Sequence, residues 1–161
     1  MKLNKIIIGV SALLVAGAAS AWAATTVTAT VGLSGTVLEV TTIATSTGGP
    51  VSLGDPTGGI PNLSVATLTE KCNKKGGYTI QITSANHETD GTYRLLGGTT
   101  TEYITYTLTH NGDAFTKASD TKTYPKTGSS GITPALVLTV PSGNYSADTY
   151  TDTITITMSA P

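Results

Sequence analysis

Three observations predict an all-β fold, an immunoglobulin-like sandwich of about seven strands. The chain carries 33 threonines with many Val and Ile, and β-branched side chains are stiff at χ1 and suit an extended backbone. Apolar residues recur at every second position in one segment after another, and no helical period follows residue 23. Clusters of Gly, Pro, Asn and Ser separate these segments at short intervals. Short strands so spaced pack as two sheets; a small closed barrel is the other solution.

The first 23 residues stand apart. Lys2 and Lys5 precede an apolar run from Ile6 to Ala16, and small residues follow, with Ala21-Trp22-Ala23 and Ala19-Ser20-Ala21 as rival cleavage motifs. This is the pattern of a secretory signal peptide over residues 1–23. The run is shorter than the roughly 20 residues of a membrane helix, so an uncleaved anchor is the weaker reading, and no later run reaches that length. Cleavage after Ala23 leaves 138 of the 161 residues, enough for one core. Removal of Lys2 and Lys5 leaves seven Lys and Arg against ten Asp and Glu, a formal charge near −3. Such a chain attracts neither nucleic acid nor an anionic membrane.

At the new amino terminus Val27, Ala29, Val31 and Leu33 alternate with Thr26, Thr28, Thr30 and Gly32, predicting a strand with one apolar face over residues 24–33. It pairs either within its own domain, 34–161, or with another chain. Ser34-Gly35 interrupts the pattern, and Leu38 and Val40 resume it within Thr36–Val40. Residues 46–61 read as a surface loop with a short strand at Val51–Leu53. A strand from Leu63 ends at Cys72, and Asn73–Gly77 turns into Tyr78–Thr83, where Tyr78, Ile80 and Ile82 share a face; these two strands are expected to form a hairpin.

Thr92–Leu96 is a short strand closed by Gly97-Gly98. Ile104, Tyr106 and Leu108 mark a strand that stops at His110–Asp113, and residues 114–131 are polar and turn-prone. Leu136, Leu138 and Val140 define another strand, with Pro134 near its start where a missing amide is tolerated. In the last segment Tyr150, Ile154, Ile156 and Met158 lie on one face, interrupted by Asp152.

Little here points to catalysis. His87 and His110 sit in polar stretches; His87-Glu88-x-Asp90 lacks a second histidine at ligand spacing, and a solvated turn is the better reading. No Gly-x-Ser-x-Gly elbow or phosphate-binding Gly-Lys-Ser/Thr occurs, and Asp55, Asp113 and Asp120 form no calcium-ligand series. The expectation is a non-enzymatic protein without metal or cofactor. Cys72 is the only cysteine, so no disulfide forms within one chain. It is read as a small apolar core side chain, the alternatives being a disulfide between subunits or a reactive thiol. Lys71, Lys74 and Lys75 beside it read as a solvated turn.

The segment around Cys72, the run Arg94-Leu-Leu-Gly-Gly98 leading to Tyr103-Ile-Thr-Tyr106, and the ending Asp148-Thr-Tyr-Thr-Asp-Thr-Ile-Thr-Ile-Thr-Met158 resemble the spore coat protein U domain found in major subunits of archaic chaperone-usher pili. Members usually end in Gly-x-Tyr-x-Asp; here Tyr150 and Asp152 hold the Tyr and Asp places and Asp148 stands where Gly is usual. Members commonly pair an early cysteine with one matching Cys72, whereas Ser34 or Gly35 occupies the early place here. The resemblance implies an incomplete sandwich whose groove is covered first by a periplasmic chaperone and then, at an outer-membrane usher, by the amino-terminal strand of the next identical subunit, head to tail. Val27, Ala29, Val31 and Leu33 would then be the plugs, and Tyr150, Ile154, Ile156 and Met158 the groove or core strand. The product would be a secreted surface fibre serving adhesion or biofilm.

Burying Val27, Val31 and Leu33 contributes roughly 1.5 to 3 kcal/mol each, while ordering eight backbone residues costs roughly 8 to 16 kcal/mol. Side chains alone therefore cannot hold the strand. Ladder hydrogen bonds netting about 0.5 to 1.5 kcal/mol apiece are needed, so the strand must lie between two others. The alternative function is a self-complete secreted β-sandwich that acts as a surface-binding or carbohydrate-binding module, with Tyr93, Tyr103, Tyr106, Tyr124 and Tyr145 as candidate stacking groups.

Overall fold

A computed structural model describes residues 28–47, 49–86, 92–116 and 118–161. The expected signal peptide, Val27 and the His87-Glu88-x-Asp90 motif lie outside the described residues. The chain divides into two units, Met1–Thr36 and Val37–Pro161. In the first, residues 28–36 are exposed and form no strand, with Val31 80% and Leu33 93% exposed. The expected strand there is thus absent over its described part. Alternation gives an apolar face, but a strand exists only when a neighbour takes up its N–H and C=O groups.

The second unit is the predicted all-β sandwich, 52% of the described residues being strand and 2% helix. Its strands are β1 (Thr41–Thr45), β2 (Ile60–Cys72), β3 (Tyr78–Ser84), β4 (Tyr93–Gly97), β5 (Tyr103–His110), β6 (Asp113–Phe115), β7 (Thr121–Tyr124), β8 (Gly128–Ile132), β9 (Ala135–Val140), β10 (Tyr150–Thr151) and β11 (Ile154–Ser159). The larger sheet runs β1-β2-β9-β5-β4-β10, with β6 on β5 and β8 on β2; the smaller is β11-β3-β7, and all pairs are antiparallel. Between the sheets lies one core, including Ile80 and Ile82 from one side and Ile104, Leu108, Leu136 and Leu138 from the other.

Several strands depart from the sequence reading. Residues 36–40 are not a strand: the Asn73 side chain takes up the Val40 N–H at 2.9 Å and donates to the Leu38 carbonyl at 2.7 Å, so a side chain stands in for a neighbour and β1 begins at Thr41. Val51–Leu53 is irregular, and the loop closes in a 3-10 turn at Pro56–Gly58 whose Thr57 N–H is capped by Asp55 at 2.9 Å. The expected hairpin of β2 with β3 does not form. β2 pairs with β1, β8 and β9 while β3 pairs with β7 and β11, so Asn73–Gly77 carries the chain from one sheet to the other. A five-residue turn serves either role, and Gly77, at φ 77°, lies so close to the Tyr124 carbonyl that a Cβ would meet it at 2.1 Å.

Residues 114–131, expected to be irregular, contribute most of β6, with β7 and β8. These are short and mostly polar, so their alternation is too brief to see; they are strands because longer neighbours offer them ladders. The final segment, read as one strand, breaks at Asp152 and changes sheets: Tyr150 pairs with Gly97 in the larger sheet and Ile154 with Ser84 in the smaller.

Candidate functional site

The break at Asp152 builds the site. Its carboxylate accepts the Ser84 hydroxyl at 2.5 Å, the Asn86 N–H at 3.2 Å and the Thr153 N–H at 2.7 Å, and the Tyr106 hydroxyl also donates to it. Asn86 Nδ2 adds a bond to the Thr151 carbonyl at 2.8 Å, and the Ala85 N–H one to Thr153 at 2.9 Å. Burial first, and the Asp152 charge after it, push the Tyr106 phenol well above its ordinary range, so Tyr106 stays a donor. The crossover is thereby pinned, and β11 leaves it as the outermost strand of the smaller sheet.

Among the described residues β11 pairs on one side only, with β3, and β1 on one side only, with β2. These two free edges bound a cavity of about 890 Å³. Ile43 of β1 and Ile154 and Ile156 of β11 form its flanks, Val65, Leu68, Leu136 and Leu138 its floor, and Tyr150 sits at the crossover end. β2 fits this floor because two register shifts opposite β9, between Ile60 and Leu63 and between Ser64 and Ala66, reset its pleat so that Val65 and Leu68 both face inward. Ile154 and Ile156 are only half-buried although their inward positions are those of core residues. Two unpaired edges over an apolar floor offer what an extended segment needs: hydrogen bonds on both sides and pockets for alternate side chains.

The chain matches the Spore Coat Protein U domain over residues 16–157. It belongs to that family. Comparison with curated proteins finds no match. In this Spore Coat Protein U chain the ending expected to carry the groove strand is divided: Tyr150, Ile154 and Ile156 line the cavity, whereas Met158 lies beyond it, opposite Ile80 and packed on the core. Asp148, at the place where the family usually has Gly, accepts the N–H groups of Thr99 at 2.9 Å and Thr100 at 2.8 Å and the Thr100 hydroxyl at 2.8 Å. The Thr100 N–H first, then that of Thr99, holds its carboxyl far below the usual carboxylate range.

Of the proposed plugs, Ala29, Val31 and Leu33 are exposed. Cys72 is free and fully buried, its thiol donating to the Gly77 carbonyl at 3.3 Å. His110, expected in a polar loop, instead ends β5 inside the core, with Nε2 2.8 Å from Glu70 Oε1; both side chains are fully buried. The Tyr78 hydroxyl donates to the other Glu70 oxygen at 2.6 Å, and Tyr124 and Phe115 meet the imidazole edge-on at 5.7 and 6.2 Å. Glu70 escaped the sequence reading, yet the two-residue period was there to be used: Leu68, Glu70 and Cys72 share a face, as do Leu108 and His110. Of the five candidate stacking tyrosines, Tyr93, Tyr106 and Tyr124 are buried. Tyr103 is exposed but covered by the Arg94 guanidinium at 3.7 Å, and the Tyr145 hydroxyl is tied to the Pro141 carbonyl at 2.8 Å. Among the described residues no group of three or more His, Cys, Asp or Glu side chains is placed to hold a metal ion, and no helix is long and apolar enough to cross a membrane.

Proposed function

We propose that this chain is the structural subunit of a surface pilus, assembled head to tail by donation of residues 24–33 of one copy into the cavity between β1 and β11 of the next. The Spore Coat Protein U domain is associated with chaperone-usher pili, which supports the coarse reading. The observation that carries the finer one is the apolar cavity flanked by two strand edges without partners. An entering strand gains ladder bonds from both edges, the condition that the energy estimate sets. Val27, Ala29, Val31 and Leu33 supply one apolar face to meet the cavity floor and half-buried Ile154 and Ile156, which become core on insertion.

By this reading a periplasmic chaperone shields the groove before export, an outer-membrane usher is the site of exchange, and the amino-terminal segment travels exposed until it meets a neighbour. Such exchange does not close on itself, so it grows a fibre, here one exposed on the cell surface and suited to adhesion or biofilm. Deletion of residues 24–33 tests the reading. The truncated subunit is expected to fold with its chaperone yet run as a monomer on unheated gels, while the full subunit gives a detergent-resistant ladder. Normal assembly of the truncated protein would overturn strand donation.

A further inference from the structure

The cavity has one irregular wall. Residues 49–56 run along it, and Pro50, Val51, Leu53 and Pro56 belong to its lining. Within this stretch only Leu53 and Pro56 are half-buried, and Leu53 packs against the core while the residues on either side of it are exposed. Both ends of the segment are tied down. Upstream, the Ser46 N–H donates to the Thr67 carbonyl and the Thr67 N–H to the Ser46 hydroxyl, each at 2.9 Å. Downstream, the capped 3-10 turn is held by the Gly143 N–H on the Thr57 carbonyl at 3.1 Å. Between these ties, among the described residues, no hydrogen bond joins 49–54 to β1 or β11.

We infer that this strap is a built-in stopper, with Leu53 occupying the groove that a donated strand must enter and the strap withdrawing as that strand arrives. The inference rests on the strand-donation reading. A segment tethered at both ends and held in the middle by one half-buried side chain is built to lift without unfolding its surroundings. It shields apolar surface in the unassembled subunit, but makes no ladder with either edge and so cannot match an incoming strand that bonds to both. While it is seated, the groove is competent only in the fraction of molecules whose strap has lifted, and the apparent affinity for a donor strand is reduced by that fraction.

Gly54 allows a second way to unseat it. Its φ is 72°, and a Cβ there would meet nothing within 4 Å. Alanine at this position therefore disturbs the strap's backbone path without a clash and without removing apolar surface.

The probe is a fluorescent synthetic peptide of residues 24–36, added to the full mature subunit at concentrations too low for self-assembly and followed by anisotropy. Leu53→Ser is expected to raise the association rate and the affinity together by about tenfold, the equivalent of half a leucine's burial, with dissociation unchanged. Gly54→Ala should shift both several-fold in the same direction, and it keeps the test decisive if Leu53→Ser proves poorly folded by circular dichroism. Peptide binding that is equal or weaker in the folded variants would overturn the strap. Failure of the wild type and both variants to bind the peptide would overturn strand donation, and the strap with it.

Discussion

β3 and β11 are neighbours written in nearly the same alphabet, Tyr-Thr-Ile-Gln-Ile-Thr against Ile-Thr-Ile-Thr-Met-Ser, and they pair in register with Ile82 opposite Ile156 and Ile80 opposite Met158. Yet Ile80 and Ile82 are fully buried while Ile154, Ile156 and Met158 are half-buried. The chemistry is the same and only the place differs: β3 lies between β7 and β11, whereas β11, among the described residues, has no strand hydrogen-bonded to its far side. The core around β3 is finished, while β11 keeps a strand edge that has no partner among the described residues. The finished side even holds a carboxylate and an imidazole out of water, with His110 Nε2 and the Tyr78 hydroxyl on the two oxygens of Glu70.

The contrast can be broken from the finished side first. Glu70→Ala strands His110 in the core, and the loss in urea unfolding of the mature subunit is expected to be about 3 to 5 kcal/mol, the usual penalty for halving a buried pair; a loss below 1 kcal/mol would mean that the core there is open to water. Next, Ile82→Ala should cost about 2 to 5 kcal/mol, and Ile156→Ala only about 1 kcal/mol because part of its surface already meets solvent. Repeating both titrations with the 24–36 peptide bound sharpens the point: the gap between the two variants should narrow, since the inserted strand turns Ile156 into core. A gap that does not change would place the peptide elsewhere.

An effect smaller than that of Ile82→Ala is expected at the crossover between β10 and β11. Asp152→Asn loses the charge that receives the Ser84 and Tyr106 hydroxyls, worth about 1.5 to 3 kcal/mol; faster hydrogen exchange confined to β10 and β11 would locate the damage. The smallest is a pH effect at Asp148. Its folded pKa is lowered, so its contribution is full above the ordinary carboxylate value of about 4 and fades as pH falls from there towards the folded value. Wild type and Asp148→Asn should therefore differ most at pH 7 and draw steadily closer in melting temperature as pH falls below about 4.

The strands around Ile80, Ile104, Leu108 and Leu138 were legible because each alternates long enough to show its period. Those between residues 114 and 131 were not, since three to five polar residues become a strand only when a neighbour supplies the ladder. The β2 to β3 turn was misread because a turn of that length says nothing about which sheet receives the chain. Of the residues that line the cavity, Tyr150, Ile154 and Ile156 share a face in the sequence, whereas Val65, Leu68 and Leu53 carry no such signal. The bulges of β2 and the path of a Gly- and Pro-rich loop decide what faces the cavity, and neither has a periodic signature.

By itself the sequence determined that this chain is all-β, that its apolar faces lie on alternate residues, and that its family is the Spore Coat Protein U domain. These follow from side-chain type and spacing, which are local properties. Only the tertiary structure decided which of two near-identical strands is covered and which is left at an edge, and that Glu70 and His110 meet. Burial depends on what packs from elsewhere in the chain, and a strand's own residues carry no record of how many neighbours it has.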